Sequence, residues 1–442
     1  MRSFTERKQQ LAAQLSARRG GEIGLGKPTS NLFRDRRGPQ QRLDVSGFNH
    51  VLKIDRAQGW VDVEGMTPYD ALVEATLRSA VMPCVVPQLK SITIGGAVAG
   101  VGIEASSFRY GLVHDSMLEL EVLLGDGSVV VCTAENEHKD LFLGFPNSYG
   151  TLGYALRVKT KVVPVKPYVK LQHLRFSNAR EYFRQLERWC NEPAVDFVDG
   201  TVMNPGELYL TLASFVDEAP YTSDYKFERI YYRSLAAREV DYLSVSDYLW
   251  RWDTDWFWCS KNVGAQNPLL RRLLGRERLN SRFYTKVMRW NARWRWTHIL
   301  DRASRYAYRE SVIQDVDIPI AQAPAFLRFF EAKVGIRPIW ICPIRSSSRW
   351  TLYPMSEQAL YVNFGFWDVV RRREPYAKGT FNRMIEDKVR ELGGIKSLYS
   401  ESCYERDVFF EQYNGEGYRQ LKERYDPSGA FKDLYAKCVL RV

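Results

Sequence analysis

Residues 87–115, PQLKSITIGGAVAGVGIEASSFRYGLVHD, hold Gly95, Gly96, Gly100 and Gly102 within one short stretch. A β-rich lead-in at Ile92, Thr93 and Ile94 precedes them, and a polar cluster at Glu104, Ser106 and Ser107 comes after. Glycine lets a backbone approach a ligand with its N–H groups bare, because no Cβ intervenes. Clustered N–H groups suit anions, phosphate and pyrophosphate above all. The two hydroxyls and the turn at Tyr110-Gly111 add donors. Such a segment predicts a cradle for a nucleotide cofactor.

Two other phosphate-binding patterns fit less well. Gly100-x-Gly102-x-x-Ala105 mimics a dinucleotide fingerprint, but SSFRYG stands where an apolar helix should begin. Gly21-x-x-x-x-Gly26-Lys27 is nearly a Walker loop. There Pro28 replaces the magnesium-binding Ser or Thr and removes an N–H. ATP hydrolysis is excluded on that ground.

The segments beyond the glycines narrow the possibilities. Asp115 leads into the apolar strand at 118–124, a Gly125-Asp126-Gly127 hairpin turn and a second strand at 129–132. Asp140-Leu141-Phe142, Gly150-Thr151-Leu152-Gly153 and a strand closing at Pro164 complete the series. This ordered string resembles the second FAD-binding subdomain of the vanillyl-alcohol-oxidase type, the PCMH fold. Further along, SVIQDVDIP (311–319), IRPIWICPIR (336–345), NPLLRRLLG (267–275) and the stretch 404–437 resemble the flavin-dependent 24-dehydrocholesterol reductases. DYLWRWDTDWFWCS (247–260), FPNSYGTLGYA (145–155) and GGIKSLYSESCYERD (393–407) are similar to bacterial relatives that reduce a 10-methylene fatty-acyl chain to a methyl branch. Both groups saturate an isolated carbon–carbon double bond in a lipid.

The resemblance implies an α+β protein: a two-subdomain FAD-binding domain over 1–166, an α+β substrate cap over 167–380, and a helical return over 381–442. It implies FAD held by Lys27, Thr29, Ser30 and Asn31 in a first loop. Pro87, Gln88, Thr93, Ile94, Gly95, Gly96, Gly100, Gly102, Ser106, Ser107, Gly111, His114 and Asp115 belong to the second, and Gly150, Thr151 and Gly153 to the third. Covalent flavoproteins of this fold often carry a histidine in the first loop; none stands here, so the flavin is expected to be noncovalent, with His114 the one nearby alternative. NADPH as electron donor rests on the family alone, since no separate nicotinamide fold is visible. A methylene-forming methyltransferase is the partner such a reductase would need.

At 442 residues the chain is too long for one core. Its net charge of +11 points to anionic partners. Cys84, Cys132, Cys190, Cys259, Cys342, Cys403 and Cys438 are scattered singly, which fits reduced thiols in the cytoplasm rather than a disulfide frame or a metal site. The first twenty residues read as a basic amphipathic helix closed by Gly20-Gly21, without the apolar core of a secretory signal. No run reaches the eighteen or so apolar residues needed to cross a bilayer. A lipid substrate is therefore expected to be met from the water side, at the inner face of the membrane. Alternation at Val51, Ile54, Trp60, Val61 and Val63 predicts strands, and residues 68–80 have helical spacing.

An isolated alkene accepts hydride poorly, so one carbon must gain a proton as hydride reaches the other. That requires an acid in a dry pocket with no nucleophile beside the developing cation. The candidates are Glu104, Tyr110, Asp315, Tyr353 and Tyr404. Glu104 matches the glutamate of the reductases' GIES motif, with Ala105 in place of its serine, and reads equally as a structural carboxylate. Trp250, Trp252, Trp256 and Trp258 either pack the cap core or line an acyl-chain tunnel.

Residues 271–309 carry Arg271, Arg272, Arg276, Arg278, Arg282, Lys286, Arg289, Arg293, Arg295, Arg302, Arg305 and Arg309 against only Glu277 and Asp301, with Trp290, Trp294 and Trp296 interleaved. That pattern suits a phospholipid surface, or a solvated helix face. Nucleic acid is excluded, because no binding module accompanies the charge. A sterol or polyprenoid reductase, or a related FAD oxidase of an alcohol or sugar, are the competing activities.

Overall fold

The computed structural model describes residues 3–16, 20–27, 41–294, 308–347, 349–357 and 359–441. Two antiparallel sheets organise it. The first runs in the order Val51–Asp55, Trp60–Glu64, Tyr154–Pro164, Met117–Leu123, Val129–Cys132, with Val81–Pro83 on the far end of the long central strand. Every second residue of Tyr154–Pro164 over its middle is buried, the period-2 signature of a half-covered strand. The predicted hairpin turn is present: Gly127 adopts φ +93°, and the Asp126 carboxylate accepts hydrogen bonds from the Ser128 N–H and hydroxyl. The helix predicted over 68–80 spans Tyr69–Leu77.

The amino-terminal helix Phe4–Ser16 buries Leu11 and Leu15. Its cations do not face solvent alone. Arg7 pairs with buried Glu64, and Lys8 Nζ lies 2.8 Å from Glu121. The helix is thereby fastened to the first sheet.

The second sheet has eight strands in the order Val240–Ser244, Tyr168–Phe176, Glu207–Val216, Phe197–Asn204, Ile339–Ile344, Tyr361–Arg372, Tyr308–Pro319, Ile395–Lys396. Only Pro164 to Tyr168 separate the two sheets along the chain. Helices Ala179–Trp189, Ala323–Lys333 and Thr380–Glu391 cover one face, where Tyr182, Phe183, Phe326, Phe330 and Ile385 meet Val202, Leu210, Val316, Ile341 and Phe364. The segment 381–396 stays with this sheet, because Ile395 pairs with Asp317. The second sheet's unit therefore continues past the expected limit at 380, and the return to the first sheet begins later. It consists of helices Arg406–Gln412 and Gly415–Tyr425, with Leu421 against Gly144 and Lys422 Nζ donating to the Thr151 carbonyl at 2.9 Å. No helix among the described residues is long and apolar enough to cross a membrane.

Candidate functional site

The glycine segment differs from its expected form. Ile94–Ala99 is a short helix, not the end of a strand, and Thr93 caps it by accepting from the Gly96 N–H. The first N–H groups are not bare. Ile94 donates to Thr67, and Gly95 to Gly65 at 2.8 Å. Gly95 is glycine for packing, since a Cβ there would stand 2.7 Å from the Gly65 carbonyl oxygen. Gly96 is different: a Cβ would meet only the Thr93 hydroxyl at 2.9 Å and, at 3.9 Å, the Lys27 ammonium. Here the chain leaves room beside a cation.

Several other expected cofactor contacts are occupied by the protein itself. The Ser106 hydroxyl donates to the Cys84 carbonyl, and Ser107 Oγ accepts from the Glu104 N–H. The Thr151 hydroxyl donates to Ser148. Gly100 lies against the Tyr149 ring, and Gly102 against Pro87 and Val113. Gly111, at φ +74°, has Asp115 where a Cβ would go. Asp115 accepts from the Leu112 N–H, the Ser346 hydroxyl and Trp350 Nε1, so it ties this domain to the cap. These residues shape the cradle rather than line it with donors. Thr29, Ser30 and Asn31 lie outside the described residues.

What remains polar and unpaired fits a large polar ligand. Thr67 Oγ1, both ring nitrogens of His114, Asn147 Oδ1 and Ser148 Oγ are buried without hydrogen bonds, an uncommon concentration of unmet groups. Burial pushes His114 down to about 4, so its ring is neutral. Asn147, Tyr149 and Gly150 all adopt positive φ, at +62°, +51° and +72°. At Asn147 and Tyr149, which carry side chains, this is strain, and it persists where the surroundings enforce a loop shape. Lys27, the Thr93–Gly96 turn, Gln88, His114 and the 147–153 loop could hold FAD.

Facing this domain is the second face of the eight-stranded sheet. Cross-strand partners share a face, and the register lines up His173 with Thr211, Thr211 with Asp199, Asp317 with Asn363 and Asp315 with Gly365. The helix-covered face is apolar; this one is buried and mixed, its polar residues set among Phe197, Trp340, Cys342 and Trp367. Two acid centres stand on it. At the first, Arg251 joins Glu104 of the flavin domain at 3.1 Å and Asp199 of the cap at 2.8 Å. Trp340 Nε1 also donates to Asp199, and the guanidinium lies 4.1 Å from the Tyr248 ring. Glu104 Oε2 makes no hydrogen bond, and burial holds the carboxyl up at about 7 despite the arginine.

At the second centre Asp317 accepts from the Tyr353 hydroxyl and from Asn363 Nδ2, each at 2.7 Å. Asp315 Oδ1 has no hydrogen-bond partner. Burial raises Asp315 to about 7 and Asp317 to about 6. Tyr399 lies beside Asp315 and accepts from Trp367 Nε1 at 2.7 Å. Gly365 makes the space, because a Cβ there would strike Asp315 Oδ1 and the Trp367 ring.

The structure thus brings Tyr353 together with Asp315 and Asp317. Tyr404 lies one ring away, beyond Tyr413, which neighbours both tyrosines. Tyr110 is only half-buried, near Cys84 and Arg109, apart from this group. Sequence reasoning missed Arg251, Asp199, Asp317 and Tyr399. Arg251 lies inside an aromatic run, where a lone arginine among four tryptophans is the available signal. The tryptophans themselves are core: Trp252, Trp256 and Trp258 are buried, Trp252 packed on Phe257, Trp258 on Trp367 and Trp256 on Tyr284.

The basic run is less unopposed than the sequence suggests. Its acidic partners come from elsewhere in the chain: Asp255 for Arg271, Glu228 for Arg272, Asp224 for Arg276 and Asp70 for Arg282. The side chains of Arg289 and Arg293, and all of 295–307 with Arg295, Trp296, Arg302 and Arg305, lie outside the described residues.

Residues 27–133 match the FAD binding domain family. Over 407 residues the chain is 28% identical to the Delta(24)-sterol reductase of Homo sapiens, covering 88% of this chain and 75% of the human protein. The Delta(24)-sterol reductase of Arabidopsis thaliana is 24% identical over 435 residues, covering 89% and 76%. Cytokinin dehydrogenase 6 of Oryza sativa subsp. japonica is 28% identical over 178 residues, covering 39% and 33%.

Proposed function

We propose that this FAD-dependent oxidoreductase, with its PCMH-type flavin domain, reduces an isolated carbon–carbon double bond in a lipid. The substrate proposed is the methylene group of a 10-methylene fatty-acyl chain in phospholipid, which becomes a methyl branch, with NADPH as electron donor. One observation carries the reading: a dry, polar sheet face holds two carboxyls raised toward neutrality beside buried hydroxyls, opposite the flavin domain. The similarity to sterol reductases over most of the chain supports the reaction class. The segments at 145–155, 247–260 and 393–407 support the acyl substrate.

Bound FAD supplies the hydride. The protein supplies the rest. An alkene carbon needs a proton from an acid that is still protonated near neutral pH, and burial provides that condition for Asp315, raised to about 7, and less fully for Asp317, raised to about 6. The Tyr353 hydroxyl donates to Asp317, so it can pass a proton to the alkene when Asp317 is protonated and regain one through the same hydrogen bond. Trp340, Trp367 and Phe257 exclude water and offer aromatic faces to developing positive charge. Arg251, buried with its two carboxylates, fixes the flavin domain against the cap.

The test is lipid mass spectrometry of a host expressing this chain with and without a methylene-forming methyltransferase. A two-hydrogen mass gain on the methylene acyl chain is expected. Unchanged lipids together with rapid oxygen consumption on alcohols or sugars would instead identify an oxidase.

A further inference from the structure

The helix Pro268–Leu274 turns three leucines outward. Leu269 is 77% exposed, Leu270 46% and Leu273 78%. They fall at positions i, i+1 and i+4, one face of a helix. Arg271, on the opposite face, is buried in a two-pronged bond to Asp255, Nη1 to Oδ1 at 2.6 Å and Nη2 to Oδ2 at 2.9 Å. That bond fixes the helix's rotation, so the leucines cannot roll inward. Asn267 caps the helix by accepting from the Leu269 and Leu270 N–H groups. Trp290, 57% exposed, stands on the next helix, Ser281–Trp294. Ten large apolar side chains are exposed among the described residues, and four of them fall between 269 and 290. The three leucines on one helix face form an exposed apolar patch, the kind that marks an interaction surface rather than ordinary scatter.

We propose that this leucine face is a membrane-docking surface that inserts into a bilayer containing anionic lipid. Arg272, Arg276, Arg278 and Lys286 are exposed on the same helix or in the segment after it, against exposed Glu277, and that excess of cations is the complement of an anionic headgroup layer. Because Arg272 and Arg276 already have acidic partners, the apolar contact leads and charge assists. Stable attachment of a protein to a bilayer takes both signals. The surface also connects to the site. Tyr284 of the Ser281–Trp294 helix stacks on Trp256, and Asp253, bonded to the Ser281 hydroxyl, accepts from the Lys90 N–H of the glycine segment.

The experiment is cosedimentation of the FAD-loaded protein with mixed phosphatidylglycerol–phosphatidylcholine vesicles. The parent should bind, and each of Leu269→Ser and Leu273→Ser should weaken binding on the order of tenfold. FAD content and melting temperature should stay at the parent level, since the leucines support no core. High salt should weaken binding several-fold without abolishing it. A leucine variant that binds as the parent does, or a parent that ignores the vesicles, overturns the proposal. So does a parent that is dimeric in solution and becomes monomeric in the leucine variants, which would assign the face to a second copy of the chain. Vesicle binding requires no turnover, so a protein that docks yet leaves acyl chains unaltered would refute the reductase and retain the surface.

Discussion

At the scale of single residues, the two buried aspartates set the pH behaviour. Asp315 is raised from 3.8 to about 7 and Asp317 from 3.8 to about 6, both by burial. A carboxyl raised in the folded state gives stability that is complete below its unfolded value and is lost as pH rises through the folded one. The melting temperature should therefore decline between about 4 and about 7. Asp315→Asn cannot ionise and should show a shallower decline, measured by calorimetry across that window. An identical slope in both proteins would mean that Asp315 titrates as a solvated acid. Tyr353→Phe removes the hydroxyl bonded to Asp317. In stopped flow it should slow reoxidation of reduced flavin by the alkene on the order of a hundredfold, and leave flavin reduction by NADPH unchanged.

Elements bring a finer distinction to the glycines. Gly95 and Gly96 are neighbours in one helical turn, but only the first faces backbone. Gly95→Ala would press a methyl against the Gly65 carbonyl and should cost about 1–3 kcal/mol of stability. Gly96→Val should leave the fold intact, by circular dichroism, and empty the protein of FAD by crowding the space beside Lys27. Full flavin occupancy in that variant would place the pyrophosphate elsewhere. His114 is buried edge-on to Trp350, ring centroids 4.8 Å apart. With no histidine in the first loop, flavin should pass into the supernatant on acid precipitation; flavin left in the pellet would point to a covalent bond.

For the whole molecule, the Arg251 clamp decides how cap and flavin domain stay together. Both carboxylates and the guanidinium are almost fully buried. Removing the cation strands two acids in a dry interface, so Arg251→Ala should cost about 3–5 kcal/mol in urea unfolding. Glu104→Gln should cost less, because burial already holds that carboxyl at about 7. A loss below about 1 kcal/mol for Arg251→Ala, the size of an exposed pair, would show that water reaches the clamp.

The sequence by itself determined the strands at 118–124 and 129–132, the hairpin turn between them and the helix near 69–77, because those rest on local periodicity and turn chemistry, while the α+β class came from the resemblance of its motifs to a known family. It also marked Tyr353 and Asp315 as candidate acids. It could not show that Gly95 and Gly96 do different work, since a glycine's neighbours across the fold, Gly65 or Lys27, are remote in sequence. Nor could it show that the aspartates of 311–319 point at the flavin domain while Val312 and Val316 point at helices. Strand alternation gives two faces without saying which is covered by what. Tertiary structure alone united Glu104, Asp199 and Arg251, from a loop, a strand and the segment after a helix, and supplied distant acids to the basic run. Burial, which raises a carboxyl toward neutrality and turns a stretch of arginines into paired ions around an exposed leucine face, is a property of the assembled chain and of no segment within it.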